Sequence, residues 1–177
     1  MSRVVGLLLS LLPVVAGARG VDASANTITL SLGTEPPSLD SSKSEDGVSG
    51  FVLAATNEGL VRLDRRRRIV PAVAERWEID GLKAVFWLRD DARWQDGSVV
   101  TAHDFVYAWR RLVNPRTGAS GSTFFSYVIE NATEIIGGSK SVESLGVRAV
   151  NDRQLEVTLS GPYPTYSLFF SAQPTFR

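Results

Sequence analysis

The stretch from Leu88 to Val113 restricts the fold of this chain more than any other. Asp96-Gly97 is a turn signal, because glycine adopts the positive φ that other residues avoid. Thr101-Ala102-His103-Asp104 reads as a helix capping box, one methylene shorter than the version with glutamate. The Thr101 hydroxyl is expected to accept from a first-turn amide, and Asp104 to reach back to the Thr101 amide. Behind it Phe105, Ala108, Trp109 and Leu112 recur at i, i+3, i+4 and i+7, one face of a helix. Arg110 and Arg111 lie where the helix dipole favours cations, and Asn114-Pro115 ends the helix. The stretch is thus a strand end, a turn and an amphipathic helix, and its role is architectural.

The flanking segments supply sheet. Arg76 to Ile79 and Leu82 to Leu88 form a β-hairpin across Asp80-Gly81. Its second strand alternates Ala84, Phe86 and Leu88 with Lys83, Val85 and Trp87, which suits a sheet covered on both faces. Leu60 to Leu63 and Ile69-Val70 pair across Asp64-Arg65-Arg66-Arg67-Arg68, a solvated tip with no aromatic residue interleaved. Val147 to Val150 and Leu155 to Leu159 make a third hairpin around Asn151-Asp152-Arg153. Thr27 to Leu32 alternates as a half-buried strand. Asp40 to Ser49 is a loop, Phe51 to Glu58 a short helix, and Phe124 to Ile136 an amphipathic helix. A further helix begins near Thr165. Trp77, Trp94 and Trp109, with Phe105, are expected in the core, since each indole buries ~150–250 Å². Strands and helices alternate irregularly among hairpins, which indicates an α+β fold.

The first 18 residues read as a cleaved leader: Arg3, an apolar run from Val4 to Val15, and Ala16-Gly17-Ala18 for the peptidase. The run is shorter than the ~20 residues of a membrane-spanning helix. Without it, 18 basic side chains face 19 acidic ones, a balance that argues against a nucleic-acid partner. The chain has no cysteine, hence no disulfide and no lipid-anchoring thiol, which points to a periplasmic protein. Enzyme templates fit poorly. His103 is the single histidine, and with no cysteine it makes no zinc cluster. There is no Gly-x-Ser-x-Gly elbow and no phosphate-binding glycine loop. No metal or cofactor site is expected.

Several collinear motifs carry a resemblance. Leu88-Arg89, Ala92, Trp94, Asp96-Gly97, Thr101-Ala102, Asp104-Phe105, Tyr107 and Trp109 resemble the signature of the oligopeptide-binding proteins, extracellular solute receptors of ABC importers. Glu35-Pro36-Pro37-Ser38-Leu39-Asp40, Glu58-Gly59-Leu60-Val61, Pro71 to Trp77, Leu145 to Val150 and Leu155 to Pro162 match in the same order. The resemblance implies the N-terminal part of a two-lobed periplasmic-binding-protein fold of the type with an extra small lobe. It divides the chain into a signal peptide (1–18), the first strand and loop of lobe I (19–48), a small lobe II (49–171) and a return to lobe I (172–177).

The resemblance also implies an oligopeptide ligand, bound extended through its backbone, and membrane permease subunits as partners of a monomeric receptor. Glu45 falls where the family has an acidic residue facing ligand side chains, and Gly47 and Val48 where it offers backbone groups. The family's aromatic contact after the Asn-Pro motif is replaced here by Ser120-Gly121-Ser122. Its acidic clamp for the peptide amine and its third lobe fall beyond Arg177. Relatives of the same fold bind nickel chelates, haem or opines, so another small solute stands as an alternative. A secreted structural or interaction module, or a truncated remnant that captures no solute, is the other.

Overall fold

The computed structural model describes residues 20–29 and 31–162. The leader, its cleavage site and the helix expected near Thr165 lie outside the described residues. The chain divides into two compact units, one up to Gly33 and one from Thr34.

In the first unit β1 (Val21–Asp22) pairs antiparallel with β2 (Thr27–Ile28). The Asp22 carboxylate holds the turn, accepting from the Ser24 amide at 3.0 Å and hydroxyl at 2.6 Å and from the Ala25 amide at 3.1 Å. The half-buried strand expected over Thr27 to Leu32 is therefore a two-residue strand. It is exposed as well, with Ile28 69% accessible. Its pairing partner lies in what reads as polar lead-in, because an Asp side chain folds the turn locally where no hydrophobic pattern announces it.

The second unit opens with α1 (Gly47–Thr56), followed by the hairpin of β3 (Val61–Leu63) and β4 (Ile69–Pro71). Next come β5 (Ala74–Asp80) and β6 (Lys83–Leu88), turned at Gly81 with φ +56°. Then follow α2 (Ala102–Val113), the short helices α3 (Ser122–Ser126) and α4 (Ala132–Ile136), one 3₁₀ turn, and β7 (Val147–Asn151) with β8 (Gln154–Thr158). The last two hairpins fuse into an antiparallel sheet ordered β5-β6-β8-β7. Helix α2 lies against β7 and β8. This is an α+β architecture.

Alternation decides the faces. On β6, Ala84, Phe86 and Leu88 are buried, and on β8 Leu155 and Val157 join them. The predicted face of α2 meets this layer: Phe105, Ala108 and Trp109 are at most 1% exposed, and Leu112 is buried beside them. Trp109 meets the edge of Phe125, with ring centroids 5.5 Å apart at 72°. Trp77 and Trp94 only flank the core, half-buried, so their expected core placement is corrected to its rim. The far face of β6 is half covered, and there the Arg76 guanidinium stacks over the Trp87 ring at 3.4 Å.

Local polar contacts fix the ends of α2. The Thr101 amide and hydroxyl both donate to the Asp104 carboxylate, at 2.8 and 2.9 Å. The Ala102 amide donates to the Asp152 carbonyl at 2.8 Å, tying the helix start to the β7–β8 turn. Arg153 of that turn donates to the carbonyls of Arg89 and Asp90.

One expected helix breaks. Phe124 to Ile136 forms α3 and α4, separated by turns that carry a single bridge from Ile129 to Leu159. The Glu130 amide donates to the Thr158 carbonyl at 3.0 Å, and Asn131 turns the chain at φ +66°. Pairing to the end of β8 satisfies the backbone that a continuous helix would have satisfied internally. Phe124, expected on the buried face, is 69% exposed, and Phe125 takes its place in the core.

Candidate functional site

The segment from Ser38 to Val48 contains every residue for which a ligand role was expected, and its shape follows from side-chain oxygens. The Ser38 hydroxyl accepts from the Asp40 amide at 3.1 Å, and the Asp40 carboxylate accepts from the Ser42 amide at 3.0 Å. The amides of Lys43 and Ser44 both donate to the Asp40 carbonyl at 2.9 Å, closing a turn. Asp46 then caps α1, accepting from the amides of Val48 at 3.0 Å and Ser49 at 2.8 Å. Helix α1 thus starts at Gly47, four positions before the Phe51 start expected from the sequence, and Gly47 and Val48 stand in its first turn rather than in a loop.

Arg111, from the last turn of α2, bolts this segment to the core. It donates from Nη1 to Asp40 Oδ1 at 2.8 Å and from Nη2 to Oδ2 at 2.5 Å, a two-pronged pair. The same Nη1 reaches the Ser42 hydroxyl at 2.8 Å. Ser42 is 1% exposed, and both charged side chains are little more than a quarter exposed. The hydrogen bonds from Arg111 hold the Asp40 carboxyl below the ordinary Asp value, partly opposed by burial. Arg111 is raised reciprocally, first by its hydrogen bond to Asp40. No sequence signal marks this pair, whose members are 71 residues apart.

Beyond the bolt, the start of α1 is bare. Glu45 and Gly47 are exposed and Val48 is half-buried. A Cβ built on Gly47 or on Gly50 meets no atom within 4 Å, and neither residue has a positive φ. Among the described residues nothing therefore requires glycine at either position, although glycine costs a helix about 0.5–1 kcal/mol relative to alanine. The two are three apart, on one exposed face. An extended backbone can approach such a surface closely.

Other chemistry-bearing residues do not converge. His103 is exposed and faces only the exposed Asp152, at 3.6 Å. Asp90 lies near Arg153 and Asp91 pairs with Arg89, so the adjacent aspartates do not form a dyad. Among the described residues no group of three or more His, Asp or Glu is placed to hold a metal ion. A cleft of about 410 Å³ opens between Trp94 and the 96–104 segment, and takes no wall from Glu45, Gly47 or Val48.

Comparisons with known proteins bear on this geometry. A family model described as bacterial extracellular solute-binding proteins, family 5 Middle, matches residues 68–176. The probable deoxycholate-binding periplasmic protein YgiS of Escherichia coli (strain K12) is 40% identical over 145 residues, which are 80% of this chain and 27% of that protein. The periplasmic oligopeptide-binding protein OppA of Salmonella typhimurium is 41% identical over 146 residues, 81% of this chain and 27% of its own length. Among solved structures, the Escherichia coli murein tripeptide binding protein MppA matches with a TM-score of 0.74 at 38% identity, over 79% of this chain and 28% of that one. Haemophilus influenzae OppA in complex with the peptide RPPGFSPFR matches with a TM-score of 0.75 at 41% identity, over 80% and 29%. The chain spans little more than a quarter of the length of these relatives.

Proposed function

The chain belongs to the bacterial extracellular solute-binding proteins of family 5, and from that membership we propose that it is part of the periplasmic receptor of an ABC importer that takes oligopeptides in extended form. A leader over residues 1–18 exports it, residues 19–48 enter the first lobe, 49–171 build the small second lobe, and 172–177 return. Membrane permease subunits receive the loaded, monomeric receptor. The peptide main chain hydrogen-bonds to protein backbone like an added strand, and its side chains lie in water-filled surroundings that tolerate variety. Glu45 faces the peptide's side chains, and Gly47 and Val48 its backbone. The observation that carries this reading is the bare glycine face at the start of α1, next to the segment that Arg111 holds to the core yet needed by nothing among the described residues.

Affinity in such a receptor grows with enclosure, so this chain, a quarter of a relative's length, binds peptide weakly by itself. NMR titration of the 177-residue chain with a mixed tri- to pentapeptide pool reads weak binding directly. The expected result is saturable amide shifts confined to residues 44–50. Shifts gathered instead around Trp94 and Val99, or a response to deoxycholate and none to peptide, would overturn the proposal.

A further inference from the structure

The β3–β4 tip concentrates charge that the rest of the chain neutralises. Its turn is held by one carboxylate: Asp64 accepts from the amides of Arg66 at 2.8 Å and Arg68 at 2.9 Å, and from the Arg68 side chain at 2.8 and 2.7 Å. Both Asp64 oxygens are thereby engaged. Arg62, Arg65, Arg66 and Arg67 are exposed and form no ion pair among the described residues. Elsewhere Arg76, Arg89, Arg111, Arg148 and Arg153 each face a carboxylate, and Arg93 and Arg110 donate to backbone carbonyls. Arg116 is another exposed arginine without an ion pair among the described residues, but no second run of unpaired arginines occurs there. The chain as a whole has no net charge, so this excess is local. Arg67 also occupies φ +59°, a left-handed position that glycine or asparagine takes at little cost and arginine does not. The turn therefore carries a third consecutive free guanidinium at a position where its geometry asks for glycine.

We propose that this tip is an electrostatic contact for an anionic lipid surface, with Arg65, Arg66 and Arg67 donating to headgroup phosphates. Guanidinium matches phosphate with paired N–H donors. Closing three like-charged guanidinium groups of successive residues on one small anion would bring them against one another, whereas an array of laterally mobile headgroups can meet each separately. No aromatic residue interleaves with them, which leaves nothing to stack on nucleic-acid bases. A fixed pattern of carboxylates on an acidic protein would have to match all three at once. The inference rests on the reading of the chain as a receptor that works at a membrane, and it places the tip as the part that keeps it there.

The test is partition of the protein between buffer and vesicles, comparing pure phosphatidylcholine with vesicles containing ~30% phosphatidylglycerol at low and high salt. An apolar leader, where retained, acts on both kinds of vesicle, so the ratio of the two partition coefficients reads the arginines. Each basic side chain near an anionic surface contributes about fivefold, so the triple variant Arg65→Gln, Arg66→Gln, Arg67→Gln should lower the ratio about a hundredfold. Asp64 and Arg68, which hold the turn, remain. Arg67→Gly alone should relieve the backbone and cost only about fivefold, a control should the triple variant fold poorly. High salt should abolish the preference. A triple variant with the wild-type ratio would overturn the proposal. So would a wild-type protein without preference for the anionic vesicles, which would leave an acidic protein face as the tip's partner. Peptide-induced NMR shifts are read in the absence of vesicles, so failure of the receptor reading and failure of the lipid contact are separable.

Discussion

Replacing Arg111 by methionine tests the bolt that holds the segment proposed to face ligand. Methionine keeps the apolar stem against α2 and removes three donated hydrogen bonds, two to Asp40 and one to Ser42. An exposed ion pair contributes ~0–1 kcal/mol, and breaking a fully buried one costs ~3–5 kcal/mol. With side chains 27% and 29% exposed, this pair lies between those limits. A destabilisation of about 2 kcal/mol is expected, of the size of one or two charge-assisted hydrogen bonds. The pH dependence adds a second, independent signature. Asp40 has a folded-state pKa below its ordinary value of 3.8, so the stability it contributes is complete above that value and is lost as pH falls through the lowered one. Wild type should therefore lose more stability than Arg111→Met over that acid window, and the two curves should converge at its lower end. Asp22, Asp46, Asp64, Asp96, Glu143 and Glu156 are also held low, but by partners other than Arg111 that both proteins retain, so they cancel in the difference. Urea unfolding followed by tryptophan fluorescence, repeated across acid pH, measures both quantities. Equal midpoints at neutral pH, or a difference that does not shrink in acid, would refute the assignment of the pair as the anchor.

Four further outcomes follow from the same geometry. Trp109→Ala should cost ~3–5 kcal/mol, because an indole 1% exposed leaves a cavity against Phe125, and thermal melting reads the loss. Gly146→Ala should cost ~1–3 kcal/mol, since its Cβ would stand 2.7 Å from the Glu130 Cβ and 2.8 Å from the Thr158 carbonyl; the melting temperature should fall accordingly. Asp104→Ala removes the acceptor for the Thr101 amide and hydroxyl and should cost about 1 kcal/mol in the same assay. Gly47→Ala should leave stability unchanged or raise it by ~0.5–1 kcal/mol while weakening the peptide-induced shifts at residues 44–50; unchanged titration would remove Gly47 from the contact surface.

The parts of this fold that were legible in the sequence are those whose causes are local. Asp80-Gly81 and Asp96-Gly97 announce turns because glycine takes φ +56° and +86° at little cost, and both residues adopt those angles. Alternation on β6 and the four-residue spacing on α2 state which side is buried before any partner is known. Helix α1 was misplaced because Gly47 and Gly50 are poor helix formers, and they hid the cap that Asp46 provides. The break between α3 and α4 was hidden for another reason. Phe124 to Ile136 has a helical pattern, but Ile129 pairs with Leu159, thirty residues on, and that tertiary pairing overrides the pattern. The bolt from Arg111 to Asp40 is of the same kind, a contact across the sequence with nothing periodic to betray it.

That distinction bears on how the site and the fold depend on each other. The core runs from Leu60 to Leu159, and its principal layers, the sheet and α2, are closed by residues within that stretch. The segment with Glu45, Gly47 and Val48 precedes it and is joined to it through Arg111 and through Ser49 and Leu53, which α1 buries; removing the Arg111 side chain leaves the apolar cluster of the core in place. Loosening the bolt should therefore move the segment around Asp40 and Ser42 while α2 and the sheet stay packed. A rigid scaffold with a preceding segment held by a few contacts, one charged pair and two buried side chains of α1 among them, permits variation of what the segment carries without repacking of the sheet and α2. Relatives about 40% identical to this chain are named for deoxycholate in one case and oligopeptides in another. On the proposed function, such a division of labour gives a physical route by which one scaffold serves different solutes, since the residues that set the fold are not those proposed to meet the solute.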